Sequence, residues 1–538
     1  MDFDNTENLY IEGDNLDVLK LLREDYLGKI KMIYIDPPYN TGNDFVYEDD
    51  FAQSADDYIE SSGQKDDVGN HLVANTENNG RFHTDWLNMI YPRLKVAKDF
   101  LSDDGVIFIS IDDNEQKNLK NVCDEIFGDS NFVALFVWKS RQNKDNRNTS
   151  GVSIDHEYIL CYSKTPNTRV FEGSERKLDQ YQNPDNDPRG PWTSANMAGL
   201  LSEDLRPNCH YDLIDPKTGI NYGKPKMGWR YDQKTMSKLI QENRILWPNS
   251  PSGRPRKKSF FSEISEVKPG FSSLIGEGVY TRTATKEVEN LMGDRCFDFP
   301  KPVELITSLL EQTSYQDSII LDFFSGSGTT AEALMRLNKK DNGHRKYILI
   351  QLPEKTDEKS IAYKQGYKNI CDIGKERIRR AGKKILEERG TDQTNSSVQV
   401  DKLDVGFRVL KLDSSNMKDV YYKPSDITND LFVKTEDNIK EDRTDEDLLF
   451  QVMLEMSVPL SAKIRSEEIC GKNVIIVDDD YLIACFDKDI TDDVVTDIAK
   501  RKPQYFVMRD SSAVDDSVIT NFETIFQTYS KDTVRKIL

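Results

Sequence analysis

A carboxylate and a double proline end one of the most apolar segments of the sequence. In IYIDPPYNTGNDF (33–45), a run of β-branched and aromatic residues stops at Asp36, and Pro37, Pro38 and Tyr39 follow. Proline fixes φ and has no N–H group, so the carbonyls of this turn are left to accept other hydrogen bonds. A rigid turn with a carboxylate and an aromatic ring is suited to holding another molecule. Alone, the same pattern also fits a turn that merely ends a strand.

A second segment of chemical interest is SIILDFFSGSGTTAEALMRLN (318–338), which predicts a strand, a glycine-rich turn and a helix. Gly326 and Gly328 permit positive φ and close backbone approach, and the helix start offers free N–H groups. With Ala331 the turn matches the dinucleotide fingerprint G-x-G-x-x-A, so an NAD enzyme is an alternative. The sequence contains no G-x-x-x-x-G-K-[ST], which argues against an ATP-driven motor.

The elements around these segments alternate between strand and helix. Strand-like runs lie at 9–12, 32–35, 106–111, 158–162, 319–323 and 347–351, and helical patterns at 15–25, 87–101 and 329–338. Several of the strands are apolar on both faces, as in a parallel sheet that is covered on both sides. We therefore expect a doubly wound α/β sheet, with both segments at the ends of parallel strands.

Two regions interrupt the alternation. Residues 46–82 are polar without a clear period, which is typical of a functional lid or of a disordered excursion. The stretch from Lys139 to Lys258 is basic, with 21 Lys and Arg against 14 Asp and Glu, and Pro and Gly are frequent there. The sequence therefore predicts four parts: 1–138, an insert at 139–290, 291–390 and, after a polar linker, a unit at 400–538.

Composition excludes several classes of protein. The hydrophobic content of 37% is that of a globular chain, and no apolar run or basic leader predicts a membrane span or a secretion signal. The seven cysteines are scattered without a CxxC pair, so we expect free thiols, a reducing cytoplasm and no metal site. A net charge of −21 disfavours nucleic acid in general, but the basic insert could bind an acidic polymer.

Together, the two segments resemble the motifs of DNA amino-methyltransferases that use S-adenosylmethionine. DPPY (36–39) comes first, the basic insert follows and FSGSG (324–328) comes last. This order resembles the β group of adenine-N6 methyltransferases, in which the target-recognition region lies between the catalytic and cofactor motifs. Longer segments, among them NLYIEGDNLDVLKLL (8–22) and FPKPVELITSLL (299–310), resemble the Mod subunit of Type III restriction–modification systems.

The resemblance covers almost the whole chain and implies a fold. We expect a Rossmann-like, S-adenosylmethionine-dependent methyltransferase sheet with a circularly permuted motif order. The catalytic half would occupy 1–138 and the cofactor-binding half 291–390. The inserted DNA target-recognition region at 139–290 would separate them, and a C-terminal α+β domain at 400–538 would serve dimerisation and partner binding.

Methyl transfer to adenine N6 needs a nitrogen lone pair aimed at the methyl carbon. The Asp36 carboxylate and the Pro37 carbonyl could hold the amino hydrogens and thereby orient the nitrogen, in the turn that Pro38 keeps rigid. The target base must leave the duplex to reach such a site, and Tyr39 could stack on it.

The resemblance implies most of the cofactor-binding residues, whereas Glu354 and the DNA candidates are inferred from residue type and position. The candidates for the cofactor are Asp14, Lys301, Pro302, Asp322, Phe324, Gly326, Gly328 and Glu354. Among them, Asp322 is assigned to the charged amino group of the cofactor and Glu354 to its ribose hydroxyls, although a solvated Glu354 is an alternative. The candidates for DNA phosphates are Arg254, Arg256, Lys257 and Lys258, which a solvated loop would explain nearly as well.

The activity implied is site-specific adenine-N6 methylation of double-stranded DNA by a homodimer. A separate restriction (Res) subunit would supply ATPase and nuclease functions, and the proteins would be bacterial or phage-encoded, cytoplasmic and associated with the nucleoid. The segment before ENLYIEGDN is shorter than in many family members, which leaves a stand-alone methyltransferase open. Methylation of RNA or of cytosine N4 and an inactive DNA-specificity subunit are further alternatives; DPPY rather than SPPY favours adenine.

Overall fold

The computed structural model describes residues 3–42, 45–47, 72–74, 81–144, 151–174, 179–263, 268–392, 403–418, 439–513 and 516–538. Most of the polar stretch 46–82 lies outside these residues. The chain forms two compact units, one of Met1–Phe171 with Ser272–Leu538 and one of Glu172–Phe271.

The strands in the described residues are β1 (Leu9–Glu12), β2 (Ile30–Ile35), β3 (Phe45–Tyr47), β4 (Leu72–Ala74), β5 (Leu101–Ile111), β6 (Phe132–Trp138), β7 (Glu157–Ser163), β8 (Trp192–Asn196), β9 (Ile245–Leu246), β10 (Arg256–Phe260), β11 (Leu274–Ile275), β12 (Ile319–Asp322), β13 (Lys346–Gln351), β14 (Arg408–Lys411), β15 (Ile464–Ile469), β16 (Lys472–Val477), β17 (Leu482–Cys485), β18 (Tyr505–Met508) and β19 (Val534–Ile537). All six strand-like runs predicted above are present.

The α-helices in the same residues are α1 (Asn15–Tyr26), α2 (Phe82–Phe100), α3 (Gln116–Phe127), α4 (Gln233–Gln241), α5 (Thr281–Met292), α6 (Val303–Thr313), α7 (Thr329–Asp341), α8 (Ile361–Lys364), α9 (Ile370–Asp392), α10 (Asp445–Glu455), α11 (Asp492–Arg501) and α12 (Asp516–Tyr529). The helix predicted at 87–101 begins five residues earlier, and it continues through Pro92.

The larger unit is built on a nine-stranded sheet in the order β11-β6-β7-β5-β2-β12-β13-β1-β14. The pairs β5–β7 and β6–β7 are antiparallel and the other pairs in this sheet are parallel. Strand β2 is buried along its whole length, as expected for a strand covered on both faces. The α/β sheet predicted from the sequence is therefore confirmed, with β7 as its antiparallel member.

The centre of the sheet contains a switch in strand order. Strands β2 and β12 are neighbours, but the chain leads from β2 towards β5 on one side and from β12 to β13 on the other. In open α/β sheets, ligands bind in the crevice beyond the carboxyl ends of such strands. Asp36 directly follows β2 and Asp322 ends β12, so both chemical segments lie at this crevice.

Strand β14 was expected to belong to a separate C-terminal unit, but it forms the edge of the large sheet. It pairs in parallel with β1, with Leu9 opposite Arg408. The Arg408 side chain is fully buried, and it donates hydrogen bonds to the carbonyls of Phe3, Ala462 and Leu460. The apolar core is also continuous from Ile11 to the buried face of α10. The C-terminal five-stranded sheet, β15-β16-β17-β18-β19, thus belongs to the larger unit.

The smaller unit, Glu172–Phe271, is narrower than the insert predicted at 139–290. Strand β7 and most of helix α5 lie within the predicted range, but both belong to the larger unit, and β7 is an inner strand of its sheet. The smaller unit contains the antiparallel sheet β8-β10-β9, helix α4 and a small core around Trp229. Ser174 N donates to Pro269 O (2.8 Å), so the chain enters and leaves this unit side by side.

Three further observations bear on the class of protein. No helix in the described parts of the chain combines the length and the apolar character that crossing a bilayer requires. No group of three His, Cys, Asp or Glu side chains in those parts is placed to hold a metal ion. The seven cysteines are free thiols, six of them buried and Cys470 exposed.

Candidate active site

Asp36 is the centre of a polar cluster at the carboxyl end of β2. Its Oδ1 lies 2.9 Å from the Tyr39 hydroxyl and 2.9 Å from Lys301 Nζ. Glu157, the first residue of β7, completes the cluster: its Oε2 is 3.2 Å from the Tyr39 hydroxyl and 3.3 Å from Lys301 Nζ. Two carboxylates thus share one ammonium group and one phenol. Both donors reach Oδ1 of Asp36, which leaves Oδ2 for a further donor.

Lys301 belongs to this cluster rather than to the glycine-rich turn. Its side chain is only 11% exposed, and its ammonium group lies 4.8 Å from the centroid of the Tyr39 ring. Burial lowers the pKa of Lys301, but Asp36 and Glu157 raise it and the net shift is upward. Burial and then the same carboxylates raise the pKa of Tyr39. The lysine therefore stays charged and the phenol stays a donor. Pro302 follows as the N-cap residue of α6.

The double proline is hydrogen-bonded to helix α2. Trp86, which is fully buried, donates from Nε1 to the Pro38 carbonyl (2.7 Å). The carbonyl of Pro38 is thus engaged inside the protein, whereas that of Pro37 accepts no hydrogen bond from the described residues. Asn40 then turns the chain with φ of 59°, and its Nδ2 donates to Glu115 Oε1 (2.6 Å). The turn presents a fixed carboxylate and a fixed carbonyl side by side.

Asp322 fixes the glycine-rich turn through both of its carboxylate oxygens. It is 2% exposed, its Oδ1 accepts from Phe324 N (3.1 Å) and its Oδ2 accepts from the Thr330 hydroxyl (2.5 Å). Burial raises the pKa of Asp322 to about 7, against the effect of these hydrogen bonds, and the charge of Asp36 adds to the rise. Both oxygens are engaged within the turn, so the geometry opposes the predicted contact with the amino group of a cofactor. Phe324 is half-buried beside the ring of Phe323.

The turn itself requires its glycines. Gly326 has φ of 51° and donates its N–H to Gln351 Oε1 (2.7 Å) at the end of β13. Gly328 has φ of 80°, and a Cβ there would lie 3.0 Å from Ile378 Cγ1 of α9. The turn therefore packs closely against α9, and a side chain at position 328 would require Ile378 to shift. Because Gly326 and Gly328 have no side chains, the backbone of the turn can approach a ligand closely.

Arg377 on α9 holds the turn, a role that the sequence did not signal. Its guanidinium is 1% exposed, and its NH1 donates to the hydroxyls of Ser327 and Thr329 (2.6 Å each). Its NH2 pairs with Glu332 Oε2 at 2.9 Å. Arg377 lies in a run of alternating charges (376–390) that gives no indication which of its arginines is buried.

The other two acidic candidates for the cofactor differ in their surroundings. Asp14 caps α1, accepts from Asp17 N (3.0 Å) and pairs with the buried Arg93 (3.0 Å). Glu354 lies just after β13, and burial raises the pKa of its carboxyl. The Glu354 side chain makes no hydrogen bond or ion pair with any residue that the structure describes. Glu354 is thus available to a ligand, whereas Asp14 already has two partners.

The basic run of the smaller unit is only partly available to phosphates. Lys258 is 6% exposed and pairs with Asp187 at 2.9 Å and with Asp185, so the geometry opposes its predicted contact with a phosphate. Lys257 is half-buried, with Nζ 5.4 Å from the centroid of the Tyr231 ring. Arg256 is exposed but donates to the Ser194 hydroxyl (2.6 Å). Arg254 is exposed without a partner among the described residues.

A cavity of about 960 Å³ opens in front of Asp36. Asp36, Tyr39, Glu157 and Lys301 line its floor. The rest of its lining comes from Pro37, Pro38 and Thr41, from residues 140–143, from α5, and from Arg295 and Phe299 after that helix. Glu157 was not among the residues predicted from the sequence. It is a charged side chain at the start of an apolar strand, which is a weak signal of a site.

Comparison with known proteins identifies the family. Residues 30–364 match the N6/N4 DNA methylase family. The chain belongs to this family of DNA methylases. It is 36% identical over 447 residues to the Mod subunit of the Type III restriction–modification enzyme EcoPI of Escherichia phage P1, a match that covers 76% of this chain and 65% of that protein. The corresponding EcoP15I subunit of Escherichia coli is 35% identical over 427 residues, 71% of this chain and 64% of that one.

The two matches thus span just under two thirds of the length of each Mod subunit. The Type II methyltransferase M.KpnI of Klebsiella pneumoniae is 33% identical over 388 residues, which cover 69% of this DNA methylase and 86% of that protein. Among solved structures, the chain is similar to a putative DNA modification methylase of Thermus thermophilus in complex with S-adenosyl-L-methionine, at 13% identity. The alignment covers 76% of this chain and 100% of that protein. Its TM-score of 0.31 is too low to compare the two folds.

Proposed function

We propose that this DNA methylase transfers a methyl group from S-adenosylmethionine to the N6 atom of an adenine in double-stranded DNA. The observation that carries the proposal is the Asp36–Tyr39 turn at the floor of an open cavity, next to the glycine-rich turn of β12. The two turns flank the switch point of the sheet, where a base and a cofactor can meet. An aspartate rather than a serine before the two prolines favours adenine over cytosine.

In this proposal the residues around Asp36 orient the adenine amine. Oδ2 of Asp36 and the carbonyl of Pro37 accept the two amino hydrogens, which aims the nitrogen lone pair away from the turn. Lys301 and the Tyr39 hydroxyl hold Asp36 through Oδ1, so the carboxylate cannot rotate away. The ring of Tyr39 offers a stacking surface for the base, which leaves the duplex to enter the cavity.

Transfer of a methyl group to a neutral amine leaves an extra proton on the nitrogen. Asp36 is the acceptor in direct contact with that proton, because Lys301 stays charged and Tyr39 stays protonated next to two carboxylates. Glu157 shares both donors with Asp36, so it keeps a second negative charge next to the amine as positive charge develops. These groups thus supply positioning and electrostatic stabilisation.

The chain has residues that suit S-adenosylmethionine. Gly326 and Gly328 would let the backbone approach the methionine end of the cofactor, next to Phe324, in the turn that Asp322 fixes by its hydrogen bonds. Glu354, whose carboxylate has no described partner, would accept the ribose hydroxyls. When bound, the cofactor supplies an electrophilic methyl group on its sulfonium.

The first experiment follows methyl transfer by the purified chain. Plasmid DNA from a host without DNA methylation is incubated with S-adenosylmethionine carrying a labelled methyl group, and nucleosides are identified by mass spectrometry. N6-methyladenine is expected; N4-methylcytosine would reassign the base, and no product with the wild-type chain would refute the activity. Asp36→Asn is expected to lower the rate by roughly 10²- to 10⁴-fold. Its affinity for S-adenosylmethionine, measured by calorimetry, should be unchanged.

We further propose that the chain is the modification subunit of a Type III system of a bacterial or phage genome, working in the cytoplasm as a homodimer with a restriction subunit. The identity of 36% to the EcoPI Mod subunit supports this assignment. The match to 86% of M.KpnI favours a second candidate, a methyltransferase that works without a restriction subunit. Affinity purification from the native host separates the two, because only the first predicts a co-purifying ATPase with nuclease activity.

A further inference from the structure

The lining of the Asp36 cavity carries more positive than negative charge in a chain whose net charge is −21: it includes Arg141, Arg282, Lys286, Arg295 and Lys301 against Asp36, Glu157 and Glu289. Two of the cations are already neutralised: Lys301 by Asp36 and Glu157, and Arg295 by Asp298 at 2.7 Å. The two cations on α5 are different. Arg282 and Lys286 are exposed, and neither makes an ion pair with any residue in the described ranges.

Helix α5 presents both of these cations to the same cavity. Arg282 and Lys286 are four residues apart, so they lie on one face of the helix about one turn apart, and both line the cavity wall. Thr285, between them, lines it as well. The face is held towards the cavity because the Thr281 N–H and hydroxyl both bond to the Ser140 carbonyl, at 3.0 and 3.2 Å.

An exposed aromatic ring lines the same cavity. Phe299 is 71% exposed and lines the cavity two residues before Lys301. Its backbone has φ of 52°, in the left-handed region that bulky residues rarely adopt. Because the ring is exposed, it contributes little packing energy to offset the strain of this backbone conformation. Strained residues of this kind cluster at ligand sites.

We propose that Arg282, Lys286 and Phe299 form a seat for the DNA strand that carries the target base. Arg282 and Lys286 bind backbone phosphates next to the extruded nucleotide, and Phe299 stacks on the extruded base. Unpaired cations beside an exposed aromatic ring are the combination by which proteins hold unpaired nucleotides. The seat rests on the proposed DNA methylation, and it lies outside the basic run at 254–258.

The phosphate part is tested by the salt dependence of DNA binding. The double variant R282Q/K286Q and the wild-type chain are titrated with a labelled 30-base-pair duplex that contains the methylation site, found by sequencing DNA from an expressing host, between 50 and 200 mM salt. Each lost phosphate contact lowers the slope of log K against log salt by about 0.9, so a decrease of about 1.8 is expected. K383Q is the matched control, because Lys383 is 78% exposed on α9 and does not line the cavity. A slope equal to that of the wild type overturns this part.

The stacking part is tested with Phe299 variants on the methylation site found by sequencing DNA from an expressing host. F299A is expected to lower the methylation rate at limiting DNA by about 10- to 100-fold, the usual effect of losing one stacked base. F299Y keeps the aromatic face and should retain the rate, whereas F299L keeps the apolar volume without the face and should not. The affinity for S-adenosylmethionine should be equal in all four proteins, which shows that the fold is intact.

The outcomes separate this inference from the proposed function. A wild-type chain that methylates DNA, with F299L as active as F299Y, overturns the stacking role and leaves the proposed function standing. A wild-type chain that binds S-adenosylmethionine but methylates no DNA overturns the proposed function itself. A duplex whose target is already unpaired by a mismatch adds a check. If Phe299 stacks on the extruded base, the loss in F299A persists on that substrate.

Discussion

At the scale of single residues, the site depends on the ammonium group of Lys301, which Asp36 and Glu157 share. Two carboxylates this close repel each other, and partial burial strengthens the repulsion because less water screens it. Lys301 lies 2.9 Å from one and 3.3 Å from the other, so one buried cation offsets the repulsion between them. The cost of burying the lysine is offset by these two contacts and by the nearby ring of Tyr39.

Replacing Lys301 by Met should lower the rate of methylation. Without the cation, Asp36 and Glu157 repel each other, and Asp36 Oδ1 loses one of its two donors, so the carboxylate is misplaced. We expect kcat to fall by about 100-fold. Lys301→Arg keeps the charge and should retain more of the rate. A Lys301→Met variant as active as the wild type would contradict this role.

At the scale of elements, the glycine-rich turn is shaped by helix α9, about 50 residues later in the chain. Arg377 fixes the hydroxyls of the turn, and Ile378 occupies the space above Gly328. The turn therefore keeps its conformation without a ligand, which lowers the entropy cost of binding a cofactor.

Gly328→Ala tests the contact between the turn and α9. An alanine with φ of 80° costs about 1–3 kcal/mol in backbone strain, and its Cβ would also press on Ile378. Gly366→Ala is the matched control, because Gly366 has φ of 96° but no atom within 4 Å of the added Cβ. Both variants should lower the midpoint of urea unfolding. Only Gly328→Ala should weaken S-adenosylmethionine binding, by tenfold or more in calorimetry; equal affinities in the two variants would refute the steric argument.

Arg377→Met tests the hydrogen bonds to the turn. The change removes a buried guanidinium and leaves Glu332, which is 5% exposed, with Arg336 as its remaining partner, so unfolding should become easier by about 3 kcal/mol. The affinity for S-adenosylmethionine should fall as well, because the Ser327 and Thr329 hydroxyls lose their donor. Arg379→Met, on the same helix with its side chain 43% exposed, should change stability by no more than about 0.5 kcal/mol.

At the scale of the whole molecule, the smaller unit and the C-terminal region differ in how the chain connects them to the large sheet. The smaller unit, Glu172–Phe271, begins and ends at one place, where Ser174 bonds to Pro269. The C-terminal region instead supplies β14 to the large sheet and the buried face of α10 to its core. The first is an insertion, whereas the second is part of the body of the larger unit.

Two deletions should therefore have opposite outcomes. Replacing residues 175–268 by a short glycine linker should leave a folded protein that binds S-adenosylmethionine and has lost site-specific methylation. Ending the chain at residue 402 should expose the edge of β1 and the apolar core that α10 covers, and give aggregated protein. Soluble yield, circular dichroism and calorimetry distinguish the two. A soluble, cofactor-binding 1–402 fragment would contradict the description of the larger unit.

The sequence predicted the parts of this molecule that depend on local pattern. Strands such as 9–12 and 347–351 are apolar on both faces, and the DPPY and FSGSG turns follow strands, so their meeting at one edge of a parallel sheet could be expected. The cluster of Lys301 with Asp36 and Glu157 could not, because it joins three distant segments through the order of the strands. The burial of Lys258 was missed because its two aspartates lie about 70 residues earlier.

The pairing of β2 with β12 also determines when this sheet can be completed on the ribosome. Ile33 lies opposite Leu321, about 290 residues later, which at 5–20 residues per second is about 15 to 60 s of synthesis. During that time β2, β5, β7 and β6 can associate, but the edge of β2 that will receive β12 has no partner. Unpaired edges of this kind favour aggregation, so we expect the nascent chain to need a chaperone until β12 emerges.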